Sequence, residues 1–194
     1  MYRKLLTSHR VSASSRTSTF RKLHVEPLED RRLLAMFTVD NLNDSGAGSL
    51  RDAILQANSA AGADEIVFAG AASSGVIGLT SGQLMVTDSL TITGPGRDEL
   101  TIASQSLGRI INFTAVGGTE SSGDLSLSGL TLRDGLVSVQ NSQGGGGAVR
   151  FLSSGELTID ACTLTNNRIT SALTTGATSR WGGLYARGHN HDQP

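Results

Sequence analysis

Two stretches decide the fold: Leu125-Ser126-Leu127-Ser128-Gly129-Leu130-Thr131-Leu132 and, at a constant offset of 32, Leu157-Thr158-Ile159-Asp160-Ala161-Cys162-Thr163-Leu164. Superposed, they place Leu125 on Leu157, Leu127 on Ile159, Leu130 on Cys162 and Leu132 on Leu164. An earlier copy, Leu90-Thr91-Ile92-Thr93-Gly94, precedes the first by 35 and puts Leu90 over Leu125 and Ile92 over Leu127. Aliphatic residues that alternate with Ser and Thr have the period of a strand with one buried face. Recurrence at a period of roughly 20–50 residues marks an architecture of stacked repeats. Gly94, Gly129 and Ala161 occupy the equivalent place just after the alternation, where the backbone must turn. Stacked in parallel about 4.8 Å apart, such strands bury rows of Leu and Ile and leave rows of Ser and Thr outside.

Working outward, the composition suits that plan. Gly (24), Ser (24) and Thr (19) together outnumber every large apolar type, and aromatics reach only 4%, so the core is aliphatic. Gly75, Gly78, Gly82, Gly94, Gly96, Gly108, Gly117, Gly118 and Gly123 punctuate what read as connections, and Gly144-Gly145-Gly146-Gly147 reads as a flexible entry to a short strand at Ala148-Val149-Arg150-Phe151. No apolar run approaches the roughly 18 residues of a membrane-spanning helix. The single Cys162 excludes an intrachain disulfide and a four-cysteine zinc site. A formal net charge of −1 predicts no nucleic-acid partner.

That charge is unevenly spread. Residues 1–35 carry eight Lys/Arg against Glu26, Glu29 and Asp30, a net of +5, whereas residues 36–194 hold eight Arg and fourteen acids, a net of −6. Residues 1–22 are basic and Ser/Thr-rich, with no continuous apolar core of a secretory signal. They read as a disordered arm or as a segment of transit-peptide composition. Leu23-His24-Val25-Glu26-Pro27-Leu28-Glu29-Asp30-Arg31-Arg32-Leu33-Leu34-Ala35 resembles the LEPR-XLL segment at the N-terminus of large exported, repeat-rich bacterial proteins. Leu28, Glu29, Arg31, Leu33 and Leu34 match its letters, and Asp30 stands where the pattern has Pro. The resemblance implies export or surface targeting. On the residues alone, the segment is a short amphipathic helix begun after Pro27.

Phe37-Thr38-Val39 then alternates and runs into a loop rich in Asn and Asp. Ser49 is placed to cap a helix, with Asp52 three residues on, and Leu50, Ala53, Ile54 and Ala57 fall on one face of two turns ending at Asn58. Glu65-Ile66-Val67-Phe68 follows as a strand. The run Phe37-Thr38-Val39-Asp40, Gly48-Ser49-Leu50-Arg51-Asp52-Ala53-Ile54, Ala57-Asn58 and Asp64-Glu65-Ile66-Val67-Phe68 resembles the start of surface proteins with a Ser-Leu-Arg-Glu-Ala-type motif. Asp52 replaces the usual Glu, and Gly48 stands where many members have Cys. The resemblance implies an all-β, right-handed, single-stranded parallel β-helix, similar to the pectate-lyase fold and to polymorphic outer-membrane proteins, with a short N-terminal capping helix.

No residue is expected to be catalytic, cofactor-binding or metal-ligating. The Gly144–Gly147 run has no following Lys and enters a strand, which makes it a poor phosphate cradle. Asp40, Asp44 and Asp52 are oxygen donors of the kind Ca²⁺ takes, but a turn and a helix cap account for Asp44 and Asp52. Arg97-Asp98, Arg133-Asp134 and Asp160 recur near repeat edges as isolated solvated charges. His189, His191 and Asp192 have metal-binding chemistry in a terminal tail that reads as disordered. Cys162, in register with Leu130, reads as a small buried hydrophobe.

After Leu173 the pattern decays, and Trp181-Gly182-Gly183-Leu184-Tyr185 does not reproduce the strand register. Three divisions result: a basic disordered leader at 1–35, a partial parallel β-helix with its N-terminal cap at 36–172, and an irregular tail at 173–194. The chain reads as the beginning of a longer protein. The expected function is that of a non-enzymatic cell-surface or secreted bacterial β-helix, structural or adhesive, with surface polysaccharide or other surface components as partners and self-association through an open end. The alternative is the N-terminal part of a carbohydrate-active enzyme, a polysaccharide lyase or hydrolase.

Overall fold

The computed structural model describes residues 34–105, 108–115, 117–118, 120–139, 145–171 and 183–187. All but a few of the leader's residues, and the histidines of the tail, lie outside them. The described residues belong to the second of the two units into which the chain divides, Met1–Arg31 and Arg32–Pro194.

The unit is mostly β. Strand β1 (Met36–Val39) leads into the helix α1 (Leu50–Ala57), after which strands arrive in sets. The first set is β2 (Asp64–Phe68), β3 (Gly75–Leu79) and β4 (Leu84–Val86), and the second is β5 (Leu90–Thr93), β6 (Leu100–Ser104) and β7 (Ile111–Phe113). The third is β8 (Leu125–Ser128), β9 (Thr131–Arg133), β10 (Leu136–Val139) and β11 (Val149–Leu152). The fourth is β12 (Leu157–Asp160), β13 (Thr163–Thr165), β14 (Arg168–Ser171) and β15 (Leu184–Arg187). Corresponding members pair across sets into sheets ordered β1-β2-β5-β8-β12, β3-β6-β9-β13, β4-β7-β11-β15 and β10-β14. All of these pairings are parallel.

The register follows the sequence offsets. Leu90 lies beside Leu125 and Leu125 beside Leu157, and Phe37, Ile66, Ile92, Leu127 and Ile159 form one continuous row in the first sheet. Ile77, Ile102, Leu132 and Leu164 form the row of the second sheet. In the third, Val86, Phe113, Phe151 and Ala186 align, with the Phe113 and Phe151 rings 4.9 Å apart. Ile66, Ile77, Ile92, Ile102, Leu127, Leu132 and Phe113 are all fully buried. Each such side chain contributes roughly 1.5–3 kcal/mol by leaving water.

The turn after each alternation also repeats. Gly129 (φ +61°) and Ala161 (φ +47°) share the left-handed conformation 32 residues apart, as do Asp134 (φ +64°) and Asn166 (φ +53°). Asparagine side chains complete the ladder where strands stop. Asn167 donates to the Leu132 carbonyl (3.0 Å) and accepts from the Gly135 N–H (2.9 Å). Asn58 at the end of α1 likewise donates to the Met85 carbonyl (2.8 Å) and accepts from Thr87 N–H (2.9 Å).

Two expectations need correction. The glycine-punctuated connections contain further strands, and Gly75 and Gly78 lie inside β3. Both mark close approach: a Cβ on Gly75 would meet Leu42 Cδ1 at 2.7 Å, and one on Gly78 would meet the Gln105 side-chain amide. The tail read as irregular supplies β15, which pairs with β11 in the register Val149 to Leu184 and Phe151 to Ala186. Its four residues, Leu-Tyr-Ala-Arg, alternate too briefly to stand out in the sequence, and the partner strand supplies the order.

Leu127 is fully buried, whereas Ile159, in the last strand of the first sheet, is half-buried. Leu127→Asp should therefore abolish the cooperative thermal transition, and Ile159→Asp should lower its midpoint while leaving a transition visible by circular dichroism. A chain ending at Ser171 loses the Gly183 carbonyl that accepts from Ala148 N–H (3.0 Å) and Val149 N–H (3.1 Å), together with cover over Val149 and Phe151. Urea melts of that shortened chain should show a loss on the order of 2 kcal/mol.

Candidate functional site

Three polar clusters stand out once the strands are placed. The first is where α1 meets the loop before β4. Ser49 caps α1 by accepting from Asp52 N–H (3.2 Å), and Leu50, Ala53, Ile54 and Ala57 are buried against β1, β2 and β4. The Asp52 carboxylate turns to Gly48 N–H (3.3 Å) rather than to the cap residue's own N–H, which donates to the Gly46 carbonyl (3.2 Å). Arg51 leaves the other face of the helix and donates to the Gly82 (2.8 Å) and Gln83 (2.9 Å) carbonyls and to Asp44 Oδ1 (2.7 Å). The second oxygen of Asp44 accepts from the N–H and hydroxyl of both Thr80 and Ser81, at 2.5–3.2 Å. Burial alone would raise the Asp44 pKa, but the bonds from Arg51, Ser81 and Thr80 outweigh it and hold the carboxyl well below the ordinary carboxylate range.

The three carboxylates considered for calcium are thus engaged within the chain. Asp44 ties the helix to the 80–83 loop, Asp40 accepts from the Asn41 amide (2.8 Å), and Asp52 accepts from Gln56 (2.9 Å) as well as Gly48. Among the described residues, no three of His, Cys, Asp and Glu are grouped to hold a metal ion. Within the same residues, no helix is long and apolar enough to cross a membrane.

The second cluster is the glycine run. Arg109 Nε donates to the Gly146 carbonyl (2.8 Å), its Nη2 to the Gly145 carbonyl (3.0 Å) and its Nη1 to Gln83 Oε1 (3.1 Å). The Gly147 carbonyl accepts from Ile110 N–H (3.1 Å). A phosphate cradle must present N–H groups, yet here carbonyls face the cation, so these glycines are a clamp for Arg109. Gly146 takes φ +72°, and a Cβ on Gly135 would collide with the Gly147 carbonyl, so neither position admits a side chain without strain.

The third cluster is the outward row of the third sheet. In the first sheet one outward row runs Met36, Glu65, Thr91, Ser126 and Thr158, small and hydroxyl-bearing from Thr91 onward. In the third sheet the equivalent row is Met85, Asn112, Arg150 and Tyr185, in register. Asn112 is buried, with its amide against Met85 Sδ (3.3 Å) and its carbonyl oxygen receiving a long contact from Arg150 Nη1 (3.4 Å). Arg150 Nε is buried and has no hydrogen-bond partner among the described residues. Burial, followed by the nearby positive charge of Arg150, pushes the Arg109 pKa down to about 10. Neither Arg109 nor Arg150 belongs to the ion pairs of the described residues, Arg51–Asp44 and Arg133–Asp134.

The remaining candidates stay apart. Arg133 and Asp134 pair at 3.3 Å near the surface, where Asp134 also accepts from the Asn166 amide. The Arg97 carbonyl accepts from Thr131 Oγ1 (2.7 Å), and Asp160 is exposed. Cys162 is half-buried and packs against the core; burial pushes its thiol pKa up, the backbone bond near Leu130 opposes this and Asp160 adds to it. That is the environment of an unreactive thiol. Arg51, Arg109, Arg150 and Asn112 were not singled out by sequence reasoning. The offset from Asn112 to Arg150 is 38, different from the 32 and 35 of the first sheet, because β10 and the glycine run are inserted before β11.

No family model, no curated protein and no solved structure matches this chain.

The Asp44 tie carries a pH dependence. A carboxyl whose folded pKa is depressed adds stability that is complete above its unfolded pKa, about 4, and is lost as the pH falls below that toward the folded value. Urea melts of the native chain and Asp44→Asn should differ most at neutral pH, and the gap should narrow steadily on acidification below about pH 4.

Proposed function

We propose that residues 36–172 fold as a right-handed, single-stranded parallel β-helix of the pectate-lyase-like kind, carried at a bacterial cell surface or secreted, with a structural or adhesive role and no enzymatic one. The observation that carries this reading is the unbroken row Phe37–Ile66–Ile92–Leu127–Ile159, five parallel strands deep and flanked by matching rows in the other sheets. Sets of strands that return to the same sheets in the same order are what successive turns of a solenoid produce, and crossovers between parallel strands are overwhelmingly right-handed. The helix α1 lies where such a solenoid needs its first turn covered, packing on β1, β2 and β4. The resemblance of the 37–68 run to surface β-helix proteins supports the same end and the same location, and the LEPR-XLL-like segment supports export. Repetition of small hydroxyl-bearing rows suits a spacer or an adhesive face toward surface polysaccharide.

A second reading, the N-terminal part of a polysaccharide lyase or hydrolase, draws on Arg150, which stands beside Asn112 on the outward row of the third sheet, since a cation among polar groups on parallel strands suits acidic sugars. Immunogold labelling of intact native cells with antibody to the 36–172 region, combined with assay of the full chain on uronate polymers with and without Ca²⁺, separates the two. The structural reading expects surface label and no chain cleavage. Label confined to the cytoplasm, or depolymerisation by the purified chain, overturns it.

A further inference from the structure

The strands of the fourth set, β12, β13, β14 and β15, each close their sheet, so among the described residues all four are paired on one side only. Position by position, this set lacks the cover that the third set has. Leu125, Leu127, Leu130 and Leu132 are closed to solvent, whereas their counterparts 32 residues on, Leu157, Ile159, Cys162 and Leu164, are only partly buried. Val149 is likewise closed, and Leu184 beside it is 46% exposed. Apolar side chains next to unpaired N–H and C=O groups make a strand edge a template for another strand. The first set is finished differently. Around β4, Asn58 donates to the Met85 carbonyl and accepts from Thr87 N–H, Arg51 donates to the Gly82 and Gln83 carbonyls, and Asp44 accepts from the N–H groups of Thr80 and Ser81. The helix α1 that carries Arg51 packs over β1, β2 and β4.

We infer that the fourth set is a contact surface for the fourth set of a second copy of this chain, the two joined about a two-fold axis. The occupant follows from what the edge offers. Its apolar positions continue the rows Ile92–Leu127–Ile159 and Ile102–Leu132–Leu164, the same contact that already joins each set to the one before it, and another set of the same make matches both those rows and the free backbone groups. Head-to-tail docking is closed off at the first set by α1 and its Arg51 and Asn58 bonds, so the surface that remains is self-complementary and association stops at two. With the axis through β12 and normal to its sheet, β12 of each copy runs antiparallel to the other while Leu157 and Ile159 stay on the core side. Antiparallel pairing is slightly stronger per residue than the parallel pairing within the chain. Four strands of three or four residues each fall short of the roughly 20–30 residues a side of a standard interface. The dimer is therefore weak and dissociates on dilution. It requires only the sheet pairings, and stands apart from the adhesive and enzymatic readings.

Sedimentation velocity of the full chain, from low micromolar to near-millimolar concentration, tests this. A monomer that passes to a dimer and no further supports the contact. Ile159→Lys and Leu184→Lys each place a charge on the proposed surface and should raise the dissociation constant at least tenfold. Leu55→Lys, which charges an exposed leucine on α1 at the other end, should leave it unchanged. Circular dichroism checks that each variant is folded, and if Ile159→Lys does not fold, Leu184→Lys decides. A nitroxide attached to Thr158→Cys in a Cys162→Ala chain should give intermolecular dipolar coupling at dimer-forming concentration, since Thr158 lies on β12 beside the axis. A monomer at every concentration overturns the proposal, as does a mass that keeps growing past the dimer. Equal weakening by Leu55→Lys and Leu184→Lys, or a dimer without coupling between the Thr158 labels, overturns it too.

Discussion

Parallel strands stacked in register leave a side chain no choice of face, and the rest of this structure depends on that constraint. Because alternate residues point to opposite sides, sliding one strand by a single residue would turn Leu127 outward and Ser126 inward, and would break contact with Ile92 and Ile159 together. Backbone hydrogen bonds between parallel strands bear no sequence information. The aliphatic rows supply it, each one holding the register of the strands beside it. This explains how strands of three to five residues, too short to hold their shape alone, persist in every set.

The same constraint creates problems at its margins that polar side chains resolve. At the first set, α1 packs against β1, β2 and β4 with Leu50, Ala53, Ile54 and Ala57 buried. The helix is then fixed in place by Arg51, which donates to the Asp44 carboxylate and carbonyl and to the Gly82 and Gln83 carbonyls. Farther along, where β10 and the glycine run lengthen the third set, Arg109 performs the corresponding task with Gly145, Gly146 and Gln83. Arginine suits both places because its planar fork can satisfy several carbonyls at once. Asn58 and Asn167 do the same on a smaller scale by taking one donor and one acceptor from an adjacent set.

What the sequence made legible was the part of this that repeats at a constant offset. Leu125 to Leu132 and Leu157 to Leu164 keep one offset throughout, so their register could be read by eye, as could the helix face and its Ser49 cap. The second and third sheets were hidden for a physical reason. Their strands are short, some contain glycine where neighbouring chain comes close, and their offsets vary with the loops between them, so no fixed period connects Ile77 to Ile102 or Asn112 to Arg150. Strand β15 was hidden more deeply, since its order comes from β11 beside it. The polar clusters lay beyond sequence reading altogether: Arg51, Arg109 and Arg150 find partners or neighbours 26 to 38 residues away, and only the stacking brings them there. Conversely, the carboxylates that attracted notice, Asp40, Asp44 and Asp52, are close in sequence yet serve separate hydrogen bonds.

The central claim is the register of the aliphatic rows, and methyl–methyl nuclear Overhauser contacts in a chain labelled at Ile and Leu methyls measure it most directly. Rows in this register give cross-peaks from Leu127 to both Ile92 and Ile159, and from Leu132 to both Ile102 and Leu164, with none linking Ile92 to Ile159 across the intervening strand. Cross-peaks that join Ile92 directly to Ile159, or Leu127 methyls that contact only the threonine rows, would contradict it.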